Sequence, residues 1–202
     1  MFLQFGRLIS YLLHPLFMPF YAMVLVLNLN TYVSFSISPH VQQVLITVVF
    51  IATAALPIIT TLIMLQRGVV SSLEMENPTE RKWPFLTTAF CYFACYYLIS
   101  QLPIPIVMSD MVLGAAVAIV LSWIVNFFWK ISIHMVGIGG LVGLLIGFSS
   151  RLNAGLYEPV ILVVLLAGLL GFARLVTGAH TQAQVYSGFC LGLVCEWAFV
   201  GS

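Results

Sequence analysis

Two short stretches hold most of the polar groups in the second half of the chain: WKISIHMVG, residues 129–137, and ARLVTGAHTQAQVYSG, residues 173–188. Each carries one cation and one histidine within otherwise apolar sequence. Lys130 and His134 are four apart, so a helix would place them on one face, with Ser132 at its start. Arg174 precedes His180 by six residues across a Thr-Gly break, and Gln184 follows His180 by one turn. Both stretches read as helix starts, whose positive ends attract anions. Glu80-Arg81-Lys82 adds two further cations. Histidines beside cations at helix N-termini suit phosphoryl transfer, because the cations and amides stabilise charge on the transferred group. One histidine can attack phosphorus while the other protonates the leaving oxygen.

Competing uses of these residues are less well matched. A solitary membrane histidine more often makes an interhelical hydrogen bond, but here each histidine travels with a cation. His14 and His40 lack that company and read as interfacial or structural. Zinc could be held by the two histidines with Glu74, Glu76 or Glu80. No His-Glu-x-x-His or related spacing supports it, so neither metal nor cofactor is expected.

The elements that must position these groups are membrane helices. Of 202 residues, 62% are hydrophobic and 6% charged, with a mean hydropathy of +1.12, whereas a soluble domain carries about a quarter charged residues. No strand-type alternation marks a membrane barrel, and unsatisfied backbone forbids open sheets in lipid. The expected fold is an all-α polytopic transmembrane bundle of six or seven spans, residues 1–202 forming a single integral membrane domain. Apolar runs place seven crossings at about 10–31, 41–65, 85–102, 108–128, 133–149, 157–175 and 181–200. Seven crossings bring the N-terminus, the 66–84 loop and the junctions at 129–134 and 174–181 to one face.

Six of the seven cations fall on that face: Arg7, Arg67, Arg81, Lys82, Lys130 and Arg174, with Arg151 opposite. The positive-inside bias favours a cytoplasmic placement of that face, and an inner or plasma membrane is the expected location. Lys130 and Arg174 lie within or against apolar helix, where an ionisable group is costly and usually functional. A net charge of +1 offers no field for nucleic acid. The partner implied is the bilayer itself; the oligomeric state stays open.

Other features read as architecture. Gly139, Gly143 and Gly147, and Gly188 with Gly192, recur every fourth residue, as in close helix packing. Cys91, Cys95, Cys190 and Cys195 read as buried thiols. Pro15, Pro19 and Pro57 should bend their helices. Trp83, Trp123, Trp129 and Trp197 lie near span ends, and Asp110 and Glu158 read as solvated loop charges.

The three polar stretches resemble the motifs of the type 2 phosphatidic acid phosphatase family, which includes lipid phosphate phosphatases, glucose-6-phosphatase and vanadium haloperoxidases. Its motifs are KxxxxxxRP, PSGH and SRxxxxxHxxxD. Arg174-Leu-Val-Thr-Gly-Ala-His180 reproduces the RxxxxxH spacing, with Gln184 where the family has Asp. Ser132-Ile-His134 resembles S-G-H, with Ile131 and Ile133 replacing Pro and Gly. Glu80-Arg81-Lys82-Trp83-Pro84 resembles the end of the first motif, with Glu74 at the place of its Lys. The resemblance spans about residues 74–192; an extra hairpin between the first two motifs is a departure. It implies His180 as the nucleophile that becomes phosphohistidine, His134 as the acid, and Arg81 and Arg174 as phosphate ligands. Lys82 or Lys130 would replace the missing lysine.

The implied activity is metal-independent hydrolysis of a phosphomonoester or pyrophosphate on a membrane lipid. Gln184 is the main departure, because its carbonyl can orient an imidazole without supplying the full charge of Asp. A catalytically silent protein that binds or transports anionic headgroups is the alternative expectation. An ion channel or coupled transporter fits less well, because the charges gather at one face instead of lining a path.

Overall fold

The structure, a computed structural model, describes residues 2–72 and 78–202. It is helical, with no strand among the described residues. Among the described residues, six helices are long and apolar enough to cross a membrane: Phe2–Asn28, Pro39–Gln66, Val107–Asn126 (α7), Ile133–Leu152 (α8), Tyr157–Val176 (α9) and Gln182–Val200 (α10). A further 19-residue helix, α6 (Lys82–Ser100), occupies the place expected for the third crossing. The chain is therefore an integral membrane protein. Its outward faces are apolar, with Phe90, Tyr97, Leu98, Ile161, Leu162 and Leu165 exposed, as a lipid solvent permits.

Proline divides the first two spans differently from expectation. The first is α1 (Phe2–Leu12), a 3₁₀ turn (Pro15–Phe17) and α2 (Met18–Asn28). Pro15 cannot donate to a helix ladder and drives the preceding residue extended; His14 has φ −68° and ψ 136°. Pro19 lies in the first turn of α2, where its missing N–H costs no bond, so it is a helix starter and not a bend. A short helix, α3 (Tyr32–Ser36), follows, started by a capping box between Thr31 and Ser34. The second span is α4 (Pro39–Phe50), a π-helical turn (Ile51–Ala55) and α5 (Leu56–Gln66). The π turn ends two residues before Pro57, whose ring would clash with a regular α ladder.

α8 forms the centre of the bundle, with Ile138, Leu144, Leu145 and Phe148 almost fully buried. It packs along α10 in the same direction, and glycine makes this possible. A Cβ at Gly139 or Gly143 would strike the carbonyls of Phe189 and Leu193, and one at Gly192 the carbonyl of Val136. A Cβ at Gly188 would lie 2.6 Å from the Ser132 carbonyl. The glycine repeats thus serve packing within the chain and bring the starts of α8 and α10 side by side.

Two smaller expectations change. Asp110 is not a solvated loop charge: Arg151 donates to its Oδ2 at 2.9 Å and to the Val200 carbonyl at 3.3 Å, tying α7, α8 and α10 together. Cys95 and Cys195 are buried, but Cys190 is exposed on the outer face of α10.

Candidate histidine and arginine site

The α10 end of the site is set by a capping box. The Gln184 N–H donates to Thr181 Oγ1 at 3.4 Å, and the Thr181 N–H donates to Gln184 Oε1 at 3.1 Å. Such a cap stabilises a helix start by about 1 kcal/mol. It also fixes chemistry, because an amide N–H only donates and so identifies the facing side-chain atom as oxygen. That same Oε1 lies 3.1 Å from Nδ1 of His180. Nδ1 must therefore carry the proton, leaving the neutral ring its lone pair on Nε2.

Burial pushes the His180 imidazole down to about 4, helped by the charges of Arg174, Lys130 and Arg81 and opposed by the Gln184 bond. The ring is thus neutral near pH 7 and can act as a nucleophile. Gly178, at φ 67°, turns the chain out of α9 in the left-handed region that glycine tolerates, delivering His180 back over the site.

α8 supplies the second histidine. Ser132 precedes this helix, and its N–H donates to the Gln184 carbonyl at 3.4 Å, joining the two helix starts. Its hydroxyl is fully buried and has no hydrogen-bond partner among the described residues. His134 is the second residue of α8, and its Nε2 is 3.2 Å from the Ser10 carbonyl. A carbonyl only accepts, so Nε2 holds the proton in this arrangement.

Arg174, at the end of α9, is half-buried. Its Nη1 donates to Ser10 Oγ at 3.2 Å, while its buried Nε has no partner among the described residues. An unsatisfied buried donor costs about 1–3 kcal/mol, more when charged. His14, His134 and His180 all lie within electrostatic reach of this guanidinium.

Of the residues singled out from sequence, Lys130, Ser132, His134, Arg174, His180 and Gln184 come together. Arg81, closing the 3₁₀ turn before α6 (Pro78–Arg81), is half-buried and acts electrostatically on both Arg174 and His180; burial lowers its own pKa. Lys82 does not join them: it is exposed, with Nζ 5.6 Å from the centre of the Trp83 ring. Among the acids weighed for zinc, Glu80 accepts from the Ser71 N–H and hydroxyl at 3.0 and 2.9 Å. Glu74 and Glu76 lie outside the described residues.

Sequence reasoning missed two contributors from the first span. His14 packs edge-on against His134, with ring centres 5.5 Å apart, so it is no isolated interfacial residue; Ser10 binds both His134 and Arg174. The signal available was His14-Pro15, a polar helix break inside an apolar span. Glu196 was missed as well. It is buried in α10, with Oε2 unpartnered among the described residues, facing Gly114 and Gly140 in an apolar part of the bundle.

No family model, curated protein or solved structure matches this chain.

Proposed function

We propose that the protein is a membrane lipid phosphatase that works through a phosphohistidine on His180. The observation that carries this reading is the His180–Gln184 contact. The doubly bonded Gln184 oxygen makes Nδ1 the protonated nitrogen and leaves Nε2 as a lone-pair donor beside a guanidinium that has no carboxylate within bonding distance among the described residues. Nε2 attacks phosphorus, the phosphorus–oxygen bond to the lipid breaks, and His134 gives a proton to the departing oxygen. Water then attacks the phosphohistidine, its proton passes to His134, and inorganic phosphate leaves. Arg174, Arg81 and Lys130 stabilise the charge on the phosphoryl oxygens, and the buried Ser132 hydroxyl can donate to one of them.

The substrate class is a phosphomonoester or pyrophosphate on a lipid, such as phosphatidic acid, phosphatidylglycerophosphate or a polyprenyl diphosphate, reaching the site laterally through the bilayer. The resemblance of the three polar stretches to the type 2 phosphatidic acid phosphatases supports the same assignment of roles. The site-bearing face is assigned to the cytoplasmic side of an inner or plasma membrane, on the excess of Arg7 and Arg67 over Arg151.

The test is phosphate release from a panel of lipid phosphates by purified protein, with and without chelator. Chelator-resistant release that disappears in His180→Ala is expected. Release that survives in His180→Ala would contradict the mechanism.

Gln184 favours a second reading, a protein that binds anionic lipid headgroups without hydrolysing them. A carboxamide orients His180 but does not neutralise an imidazolium as a carboxylate would. Saturable binding of lipid phosphate without release would select it.

A further inference from the structure

The N-terminal kink is built from Ser10, His14 and Pro15, and each performs a separable task. In an uninterrupted helix the His14 N–H would donate to the Ser10 carbonyl. That bond is not made: the ladder ends with Leu13 donating to Ile9 at 2.9 Å. Pro15 pulls His14 into extended geometry, so α1 ends early and the Ser10 carbonyl is left to His134.

The Ser10 hydroxyl donates to the Gly6 carbonyl at 2.9 Å and accepts from Arg174 at 3.2 Å. His14 is held by its own backbone, because the Leu16 N–H donates to its Nδ1 at 3.4 Å. That bond requires Nδ1 to accept, so the His14 ring is a neutral Nε2–H donor lying against His134.

The geometry points to His134 acting through Nδ1, with Ser10 and His14 as positioning residues that hold its tautomer and ring plane. This rests on the phosphatase reading and adds to it the reacting atom of the acid and a contribution from the N-terminal span. The Ser10 carbonyl occupies Nε2–H throughout. Nδ1, bare in the resting ring, then takes up the proton of the bound phosphate monoanion, gives it to the leaving lipid oxygen in the first step, and takes one from water in the second, which departs with the phosphate. The charged and titratable neighbours of His134 are Arg174 from α9, His14 from the kink and His180 before α10.

Pro15→Ala tests this without touching a reacting group, because it lets α1 continue and returns the Ser10 carbonyl to the His14 N–H. Two readouts are needed, both on the full chain in detergent or nanodiscs. In the first, turnover is compared on a dialkyl-glycerol phosphate, whose poor leaving group needs the acid, and on an aryl phosphate, whose good leaving group does not. General acids contribute about 10²–10⁴-fold, so disordering one should lower alkyl turnover by about tenfold or more and leave aryl turnover within about twofold. Equal loss on both substrates would reduce the kink to a fold support and overturn the inference, as would no change on either.

The second readout is ¹⁵N NMR of labelled histidine, which needs no activity. His134 should show a protonated Nε2 and a bare Nδ1 in the wild type, and mixed tautomers in Pro15→Ala. A bare Nε2 in the wild type would overturn the inference even if the phosphatase reading stands. Absence of phosphate release from both substrates by the wild type would instead remove the phosphatase reading.

Discussion

Arg151 and Arg174 sit at opposite ends of the bundle and are spent differently. Arg151 donates to the Asp110 carboxylate at 2.9 Å and to the backbone of Val200, with the two charged side chains 27% and 20% exposed. Its charge is neutralised within the fold, and its work is to tie three helices. Among the described residues, Arg174 donates to the neutral Ser10 hydroxyl, leaves Nε without a partner, and has three histidines within electrostatic reach. Both arginines flank apolar helices, yet among the described residues a carboxylate pairs with Arg151 and none with Arg174. A cation retained near lipid without an anionic partner is costly unless an anion comes to it. That contrast separates a structural charge from a binding charge more sharply than the count of cations on either face.

The largest effect should come from the centre of the histidine and arginine cluster. His180→Ala is expected to abolish phosphate release, a loss of at least about 10³-fold, because no other group in the proposed mechanism can form the covalent intermediate. Next in size, Arg174→Gln should lower kcat/KM by about 10²–10³-fold, as loss of one preorganised donor does, with little change in thermal stability. Arg151→Gln should do the reverse. Breaking a part-exposed ion pair costs about 1 kcal/mol, read as a lower melting temperature in detergent with kcat/KM unchanged. If Arg174→Gln unfolds the protein while Arg151→Gln inactivates it, the comparison is inverted and the site is misplaced.

A finer test uses pH. His180 is pushed down to about 4, so its Nε2 lone pair is available above that value and lost below it. The acidic limb of kcat/KM for the free enzyme should therefore fall as pH drops through about 4. Gln184→Asp adds a negative charge to the atom pair that now holds Nδ1, stabilises the imidazolium, and should move that limb to higher pH. An acidic limb unmoved by Gln184→Asp would mean that another group titrates there.

Much of this was legible in sequence because apolar length and polar spacing are local properties. The run lengths placed the later helices within a few residues but started the first span eight residues too late, at 10 instead of Phe2, and Arg174, His180 and Gln184 met because one loop and one helical turn separate them. What escaped depended on long-range approach. His14 lies 120 positions before His134, and only the kink at Pro15 turns a presumed interfacial residue toward it. Lys82 looked equivalent to Arg81 in sequence, but being first in α6 it is exposed and rests on Trp83. Asp110 looked solvated because its partner is Arg151, 41 positions away.

The most direct test is a rapid quench of the full chain in nanodiscs with ³²P-labelled short-chain phosphatidic acid, followed by mapping of acid-labile, alkali-stable phosphate. The account predicts label on the His180 peptide at a level that rises before phosphate release becomes linear, and none in His180→Ala. Phosphate release from the wild type with no label at His180, or with the same label in His180→Ala, would contradict it.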